Sequence, residues 1–477
     1  MPSIKVHFET TGCRLNQIES ESAARIFLDK SCEVSFSPLT AKSACDSDVV
    51  LCVVNTCAVT KKSEQKDRRI IRLVLEKCPR AAVLVTGCYA QLSPENIEAI
   101  DGRIAVLPGL LKSRISEAAD ELCAWVLRGA EFNASEFAGH LKSGVCARTP
   151  EKKGFSENAF LFSTDSFLSH SRSSLKIQDG CNNACAYCAI HIARGHSVSL
   201  DAQSVLERVR QLEKAGQSEV VITGVNVGQY RGSYNGGSVD FAHLLKLCLE
   251  NTRRISFRIS SLYPETVDDF FCEVIKDARV RPHFHLSVQS GSDSVLKNMA
   301  RTYTSDDVRE ACRRLRASKQ NPFIACDIII GFPGETDDDF ERTLSLCRDC
   351  DFAWVHVFPF SERPGTAASV MKHKVPQAVS GERARILGET AAAAKARYID
   401  SCVGTVFSAV LETVRRPPVY APGTELYHAV TENFLHCRII SKAAEVRAVP
   451  GSAVNVRILG VCVSKKGGEI DCTAEIV

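Results

Sequence analysis

The chain has 477 residues, 45% apolar and 24% charged, and Lys+Arg 59 against Asp+Glu 56 leaves a net charge of +3. That is the balance of a folded protein of about three domains, with core enough to need no covalent staples and no global field that calls for nucleic acid. The anomaly is 22 cysteines beside 3 methionines and 2 tryptophans.

So many cysteines in so long a chain are still too dilute for a small disulfide scaffold. The opening MPSIKVHFETTGC lacks the charged and apolar stretches of a leader, and the longest apolar run, around Val49–Val53, is far short of a membrane span. A cytoplasmic protein with reduced thiols is expected, some of them metal ligands or catalysts.

Residues 1–125 alternate strand patterns (Lys5–Thr11, Asp48–Thr56, Ala81–Thr86, Ile104–Leu107) with helical ones (Asn16–Lys30, Thr60–Lys77), which predicts a doubly wound parallel α/β domain. Between Lys61 and Arg80 stand Lys61, Lys62, Lys66, Arg68, Arg69, Arg72, Lys77 and Arg80 against three acidic residues. The stretch reads as an amphipathic helix with a basic face, for which solvation is the simpler explanation. Residues 126–170 show no clear period and are expected to be a linker or insertion.

From 171 to 398 the alternation returns, with strands expected at Ser174–Gln178, Val220–Thr223, Ile255–Ile259, Phe284–Val288, Phe323–Ile330 and Trp354–Phe358. Six strands with intervening helices predict a (β/α)6 arc, a partial TIM-type barrel whose chemistry sits at the C-terminal strand ends. An alanine-rich helix, roughly Ser380–Ala396, leads into 399–477, where short β-branched runs predict a small antiparallel β-barrel. That last segment carries Arg415, Arg416, Arg438, Lys442, Arg447, Arg457, Lys465 and Lys466, a mild basic patch on which composition alone decides nothing.

Two groups of cysteines stand out. The run CNNACAYC places Cys181, Cys185 and Cys188 just after the first barrel strand. Three thiolates in so tight a loop can hold three irons of a 4Fe-4S cluster and leave the fourth open; a structural zinc closed by His191 or His196 is the competing reading. Cys13, Cys57 and Cys88 each follow the end of a predicted parallel strand, the edge where ligands of open α/β sheets gather, and a second cluster or mere buried thiols fit that placement equally. The other sixteen cysteines are expected to be core or incidental thiols.

The chain resembles the methylthiotransferases of the radical S-adenosylmethionine (SAM) superfamily. The motifs that carry the resemblance are TTGCRLNQIESE at 10–21, VVNTCAVTKKSEQKDRR at 53–69, VTGCYAQ at 85–91, IQDGCNNACAYC at 177–188, SVQSGSDSVLKNMARTYT at 287–304 and IIIGFPGET at 328–336. Around Cys13 and Cys57 the chain is most similar to the subgroup acting on N6-threonylcarbamoyladenosine at tRNA position 37. The resemblance implies an N-terminal methylthiotransferase domain, a radical SAM core and an RNA-binding TRAM domain. It also implies an auxiliary 4Fe-4S cluster on Cys13, Cys57 and Cys88, a radical SAM 4Fe-4S cluster on Cys181, Cys185 and Cys188, and SAM as both methyl donor and radical source.

Asn226, Ser260 and Gln289 are SAM-binding candidates by position, and no acid–base catalyst is expected beyond the cluster ligands. The implied partners are a tRNA anticodon loop, an electron donor and a sulfur donor, with the protein expected to act as a monomer away from membranes. Alternatives are the same chemistry on N6-isopentenyladenosine or a ribosomal-protein aspartate, and a non-catalytic RNA-binding protein with structural metal.

Overall fold

An apolar run without alternation, such as VVLCVVNT, is suited to burial on both faces inside a parallel sheet. The computed structural model describes residues 4–129, 131–149, 154–156, 158–161, 172–412, 424–442, 451–463 and 470–477. In it that run is the third of five strands: β1 (Lys5–Thr10), β2 (Glu33–Ser35), β3 (Val49–Thr56), β4 (Ala82–Gly87) and β5 (Ile104–Val106). All pairs are parallel, in the order β2-β1-β3-β4-β5. The order reverses between β1 and β3, so a crevice opens there at the carboxyl ends.

Helices α1 (Arg14–Asp29) and α2 (Lys61–Lys77) follow β1 and β3. Thr60 caps α2: its hydroxyl accepts the Ser63 N–H at 3.1 Å while the Ser63 hydroxyl lies 3.0 Å from the Thr60 nitrogen. The helix buries Ile71, Val74 and Leu75 and exposes Lys61, Lys62, Lys66, Arg69 and Arg72.

The chain divides into two units. The first takes Met1–Thr164, Lys176–Leu200 and Ser361–Ser369; the second takes Asp165–Leu175, Asp201–Phe360 and Val370–Val477. The cysteine loop expected to belong to the barrel is therefore part of the N-terminal unit. The expectation of an irregular linker over 126–170 also needs correction, since a helix spans Ala134–Ser143. Asn133 caps it by accepting the Ser135 and Glu136 N–H groups, and Ala134, Phe137, Ala138 and Leu141 enter the core beside Trp125. Those positions have helical spacing, but two alanines and Gly139 dilute the signal.

In the second unit all six expected barrel strands form. One sheet has the order Ser256–Ile259, Glu219–Thr223, Ser173–Lys176; the other runs in parallel through Ser261–Leu262, His283–Gln289, Phe323–Ile330 and Trp354–Pro359. The interruption at Ser260 separates the two hydrogen-bonded groups. The alanine-rich helix is longer than expected, Gln377–Cys402.

Beyond it, Val406–Leu411, Thr424–Thr431, His436–Lys442, Ile470–Ile476 and Ala453–Val463 close into a barrel in that order. It is not wholly antiparallel: His436–Lys442 pairs in parallel with Ile470–Ile476, because the last strand closes the gap left beside Ala453–Val463. Arg415, Arg416, Arg447, Lys465 and Lys466, expected on this barrel, lie outside the described residues, as does the side chain of Lys442. Arg457 is paired with Glu475 at 2.8 Å. Among the described residues no helix is long and apolar enough to cross a membrane.

Buried Glu219 ties the two barrels together. It receives Arg258 at 2.7 and 3.0 Å and Arg281 at 3.0 Å, while Arg258 also donates to the carbonyls of Thr431 and Glu432. Burial alone would raise the Glu219 carboxyl, but the charge and hydrogen bonds of Arg258, then Arg281 and Arg172, hold it at about 2. Its stabilising contribution is therefore complete above the ordinary value of 4.5 and is lost as pH falls through about 2. Glu219→Gln is expected to cost about 3–5 kcal/mol at neutral pH. Urea unfolding of variant and parent at a series of pH values checks this, the gap between them closing toward pH 2.

Candidate metal centre

Three adjacent parallel strands bring three of the candidate thiols to one edge. Cys13 lies three residues past β1, Cys57 directly follows β3, and Cys88 follows β4 and opens a short helix, Cys88–Leu92. The approach is close. A Cβ placed on Gly12 (φ +90°) would lie 2.5 Å from the Cys57 Cβ and 2.8 Å from its Sγ, and one on Gly87 (φ +99°) would lie 2.4 Å from the Thr56 carbonyl oxygen. Only glycine accepts both that backbone region and that contact.

Asp67 fixes the Cys57 turn, accepting the Cys57 N–H at 3.0 Å and the Thr11 hydroxyl at 2.5 Å. Burial lifts Asp67 to about 6 against those bonds. Burial also pushes the Cys57 thiol up to about 12, with Cys88 and Cys13 adding to the rise.

The second set forms a compact loop. Cys181 and Cys185 are buried and Cys188 half-buried. The Asn183 N–H points at the Cys181 Sγ and the Ile190 N–H at the Cys188 Sγ, both at 3.4 Å, and the Cys188 N–H donates to the Cys185 carbonyl at 3.0 Å. N–H donors aimed at sulfur suit thiolates that carry an iron–sulfur cluster. Gly180 (φ +71°) makes the entry turn possible, since a Cβ there would overlap the His196 carbonyl.

Among the described residues no three His, Cys, Asp or Glu side chains gather to hold a single metal ion, and this includes the zinc reading with His191 or His196. The thiolates of a four-iron cluster, by contrast, each bind a different iron.

A buried ionic group, absent from the sequence-based expectations, joins the two cysteine sets. Glu19 on α1 receives Lys112 at 2.5 Å, Arg194 at 3.0 Å and Lys176 at 3.1 Å; Asp179 receives Arg194 at 2.9 Å and Lys176 at 3.0 Å. Arg194 also donates to the Asn16 Oδ1 at 2.7 Å. Asn16 and Glu19, three and six residues after Cys13, lie among the buried residues of α1 beside Leu15, Ile18, Ala23 and Phe27, but Ser20, Glu21 and Ser22 are buried there too, so polarity alone does not single them out.

The SAM candidates all lie at C-terminal strand ends of the second unit. Asn226 follows Glu219–Thr223 and accepts the Gly228 N–H at 3.1 Å. Ser260 sits in the break after Ser256–Ile259, its buried hydroxyl without a partner among the described residues, and Gln289 ends its strand at φ +69°, a conformation costly for a residue with a side chain.

Comparisons with known proteins bear on these sites. Residues 175–347 match the radical SAM superfamily and residues 5–109 match uncharacterized protein family UPF0004. The threonylcarbamoyladenosine tRNA methylthiotransferase MtaB of Treponema pallidum is 42% identical, over 95% of this chain and 98% of its own. The chain belongs to this radical SAM methylthiotransferase family.

The MtaB of Thermotoga maritima is 37% identical over 84% of both chains. Among solved structures, the radical SAM methyltransferase TsrM of Kitasatospora setae, with cobalamin and a [4Fe-4S] cluster bound, shares the fold at TM-score 0.52 and 14% identity, covering 89% of this chain and 77% of that one. Membership makes the protein a transferase that uses SAM and an iron–sulfur cluster. The open-loop thiols and the glycine-lined strand edge both fit such a group chemically.

Gly12→Ala is expected to displace Cys57 and lower the iron bound per chain after anaerobic reconstitution. Gly102→Ala, where a Cβ meets nothing within 4 Å, is expected to leave it unchanged.

Proposed function

We propose that the protein inserts a methylthio group at carbon 2 of N6-threonylcarbamoyladenosine at tRNA position 37, giving 2-methylthio-N6-threonylcarbamoyladenosine. The observation that supports this reading is the placement of six thiols in one unit, three at adjacent strand ends and three in one loop, each trio of which would leave one iron of a four-iron cluster open. Relatives that match most of the chain are named for that substrate.

Cys181, Cys185 and Cys188 hold the cluster at which SAM binds; Cys13, Cys57 and Cys88 hold the second, where sulfur is delivered. When bound, SAM and the reduced cluster supply a primary carbon radical able to take hydrogen from an unactivated C–H bond. Asn226, Ser260 and Gln289 are the SAM-contacting candidates of the second unit. Electrons and sulfur come from outside the chain, which acts as a cytoplasmic monomer. The adenosine leaves the anticodon-loop stack to be reached, as bases do in other base-modifying enzymes.

The basic face of α2 guides the RNA. Lys62, Lys66, Arg69 and Arg72 recur at helical spacing on the exposed side, without an ion pair among the described residues, on a helix that starts just beyond Cys57. Such a row fits phosphates of a stem next to the modified loop. Lys66→Glu with Arg69→Glu is expected to weaken tRNA binding and to reduce the salt dependence of log K by about one for each phosphate no longer neutralised. Titrations at several salt concentrations measure both.

Nucleoside analysis of tRNA from a deletion strain tests the substrate. Complementation with the parent restores the 2-methylthio form; restoration of a methylthiolated isopentenyladenosine, or of a modified ribosomal-protein aspartate, would overturn the choice. Anaerobic assay is expected to find about eight irons per chain with matching sulfide, whereas zinc without sulfide would exclude the enzyme reading. Cys88→Ala is expected to abolish sulfur insertion while retaining some reductive SAM cleavage, and Cys185→Ala to abolish both.

A further inference from the structure

The buried ionic group contains three cations, Lys112, Lys176 and Arg194, against two carboxylates, Glu19 and Asp179, with none of the five side chains more than 5% exposed. The group reaches the strand-end thiols through Asn16, whose Oδ1 accepts from Arg194 at 2.7 Å and lies 3.8 Å from the Cys13 thiol. The Arg194 backbone belongs to the helix Ile190–Arg194, which begins two residues after Cys188.

Asn16 in turn donates to the carbonyls of Thr11 at 2.9 Å and Thr56 at 3.0 Å, the groups immediately before Gly12 and Cys57. A single side chain, Asn16, thus clamps the two strand ends from which two of the three thiols emerge, and Arg194 holds it from the other cysteine loop.

We propose that Arg194 and Asn16 are positioning residues for the strand-end cluster, Asn16 fixing the spacing of its thiols and Arg194 raising its reduction potential. The proposal rests on the two-site reading above. A cluster gains a negative charge on reduction, and the net positive charge of three cations held against two carboxylates stabilises that state in a buried, weakly screened setting. The fork of Arg194 also serves both loops at once, which a lysine ammonium cannot do with the same geometry.

The test uses the full chain carrying Cys181→Ala, Cys185→Ala and Cys188→Ala, reconstituted anaerobically so that only the strand-end cluster contributes. Arg194→Gln in that background is expected to retain iron and to shift the reduction equilibrium at least tenfold toward the oxidised form, about 59 mV for one electron. Asn16→Ala is expected to release iron to a chelator at least tenfold faster than its parent.

An unchanged potential in Arg194→Gln with iron retained would overturn the charge role, and an unchanged release rate in Asn16→Ala would overturn the clamp. Should Arg194→Gln fail to hold iron, Arg194→Lys decides: a reduction equilibrium within about twofold of the parent supports the charge role, and a tenfold shift despite the retained charge overturns it. A parent background that binds no iron contradicts the two-site reading itself rather than the roles of Arg194 and Asn16.

Discussion

Five ionised side chains buried together are costly, several kcal/mol for each ion removed from water, and they persist only where each charge meets its opposite in good geometry. Here Glu19 and Asp179 meet Lys112, Lys176 and Arg194 at 2.5–3.4 Å. Asp179 precedes the cysteine loop, Arg194 ends it, and Glu19 lies on the helix that follows Cys13. The loop cannot leave the N-terminal sheet without stranding buried charge. That constraint explains why residues 176–200 group with the sheet and not with the barrel strands on either side of them.

The sheet makes its own contribution. Parallel strands place their carboxyl ends side by side, so residues far apart in sequence share one edge when their strands are neighbours. β1, β3 and β4 are neighbours, and their ends carry Cys13, Cys57 and Cys88. Side by side is not close enough for one ligand set, however. Gly12 and Gly87 remove the atoms that would hold the backbones apart, and Asn16 and Asp67 satisfy the polar groups that such close turns expose.

Elements with a strong period were legible in the sequence: the apolar run of β3, the alternation of the barrel and the basic amphipathic α2 lie within a residue or two of their expected positions. The helix at Ala134–Ser143 was not, because its core face is half alanine. The parallel pair in the C-terminal barrel follows from closure, which no local pattern encodes. The placement of the six cysteines was readable because each has a local address, at a strand end or within one tight loop. The ionic group was not, because Glu19, Lys112, Lys176, Asp179 and Arg194 are scattered over 175 positions and meet only after folding.

Thiol acidity does not distinguish the candidate ligands from the remaining cysteines. Burial pushes Cys57 to about 12, and it pushes Cys146 and Cys248 to about 12 as well. Thiols raised this far are protonated at neutral pH, and a metal would deprotonate whichever it could reach. Reach is a property of the backbone. Cys248 lies within the helix Phe241–Glu250, on a buried face shared with Phe241, Leu244, Leu245 and Leu249. Cys57 lies at the end of a strand with Cys13 and Cys88 beside it and a glycine pressed against its sulfur. What sets Cys13, Cys57 and Cys88 apart is therefore less the thiols than the strand order and the two glycines that bring their strand ends together.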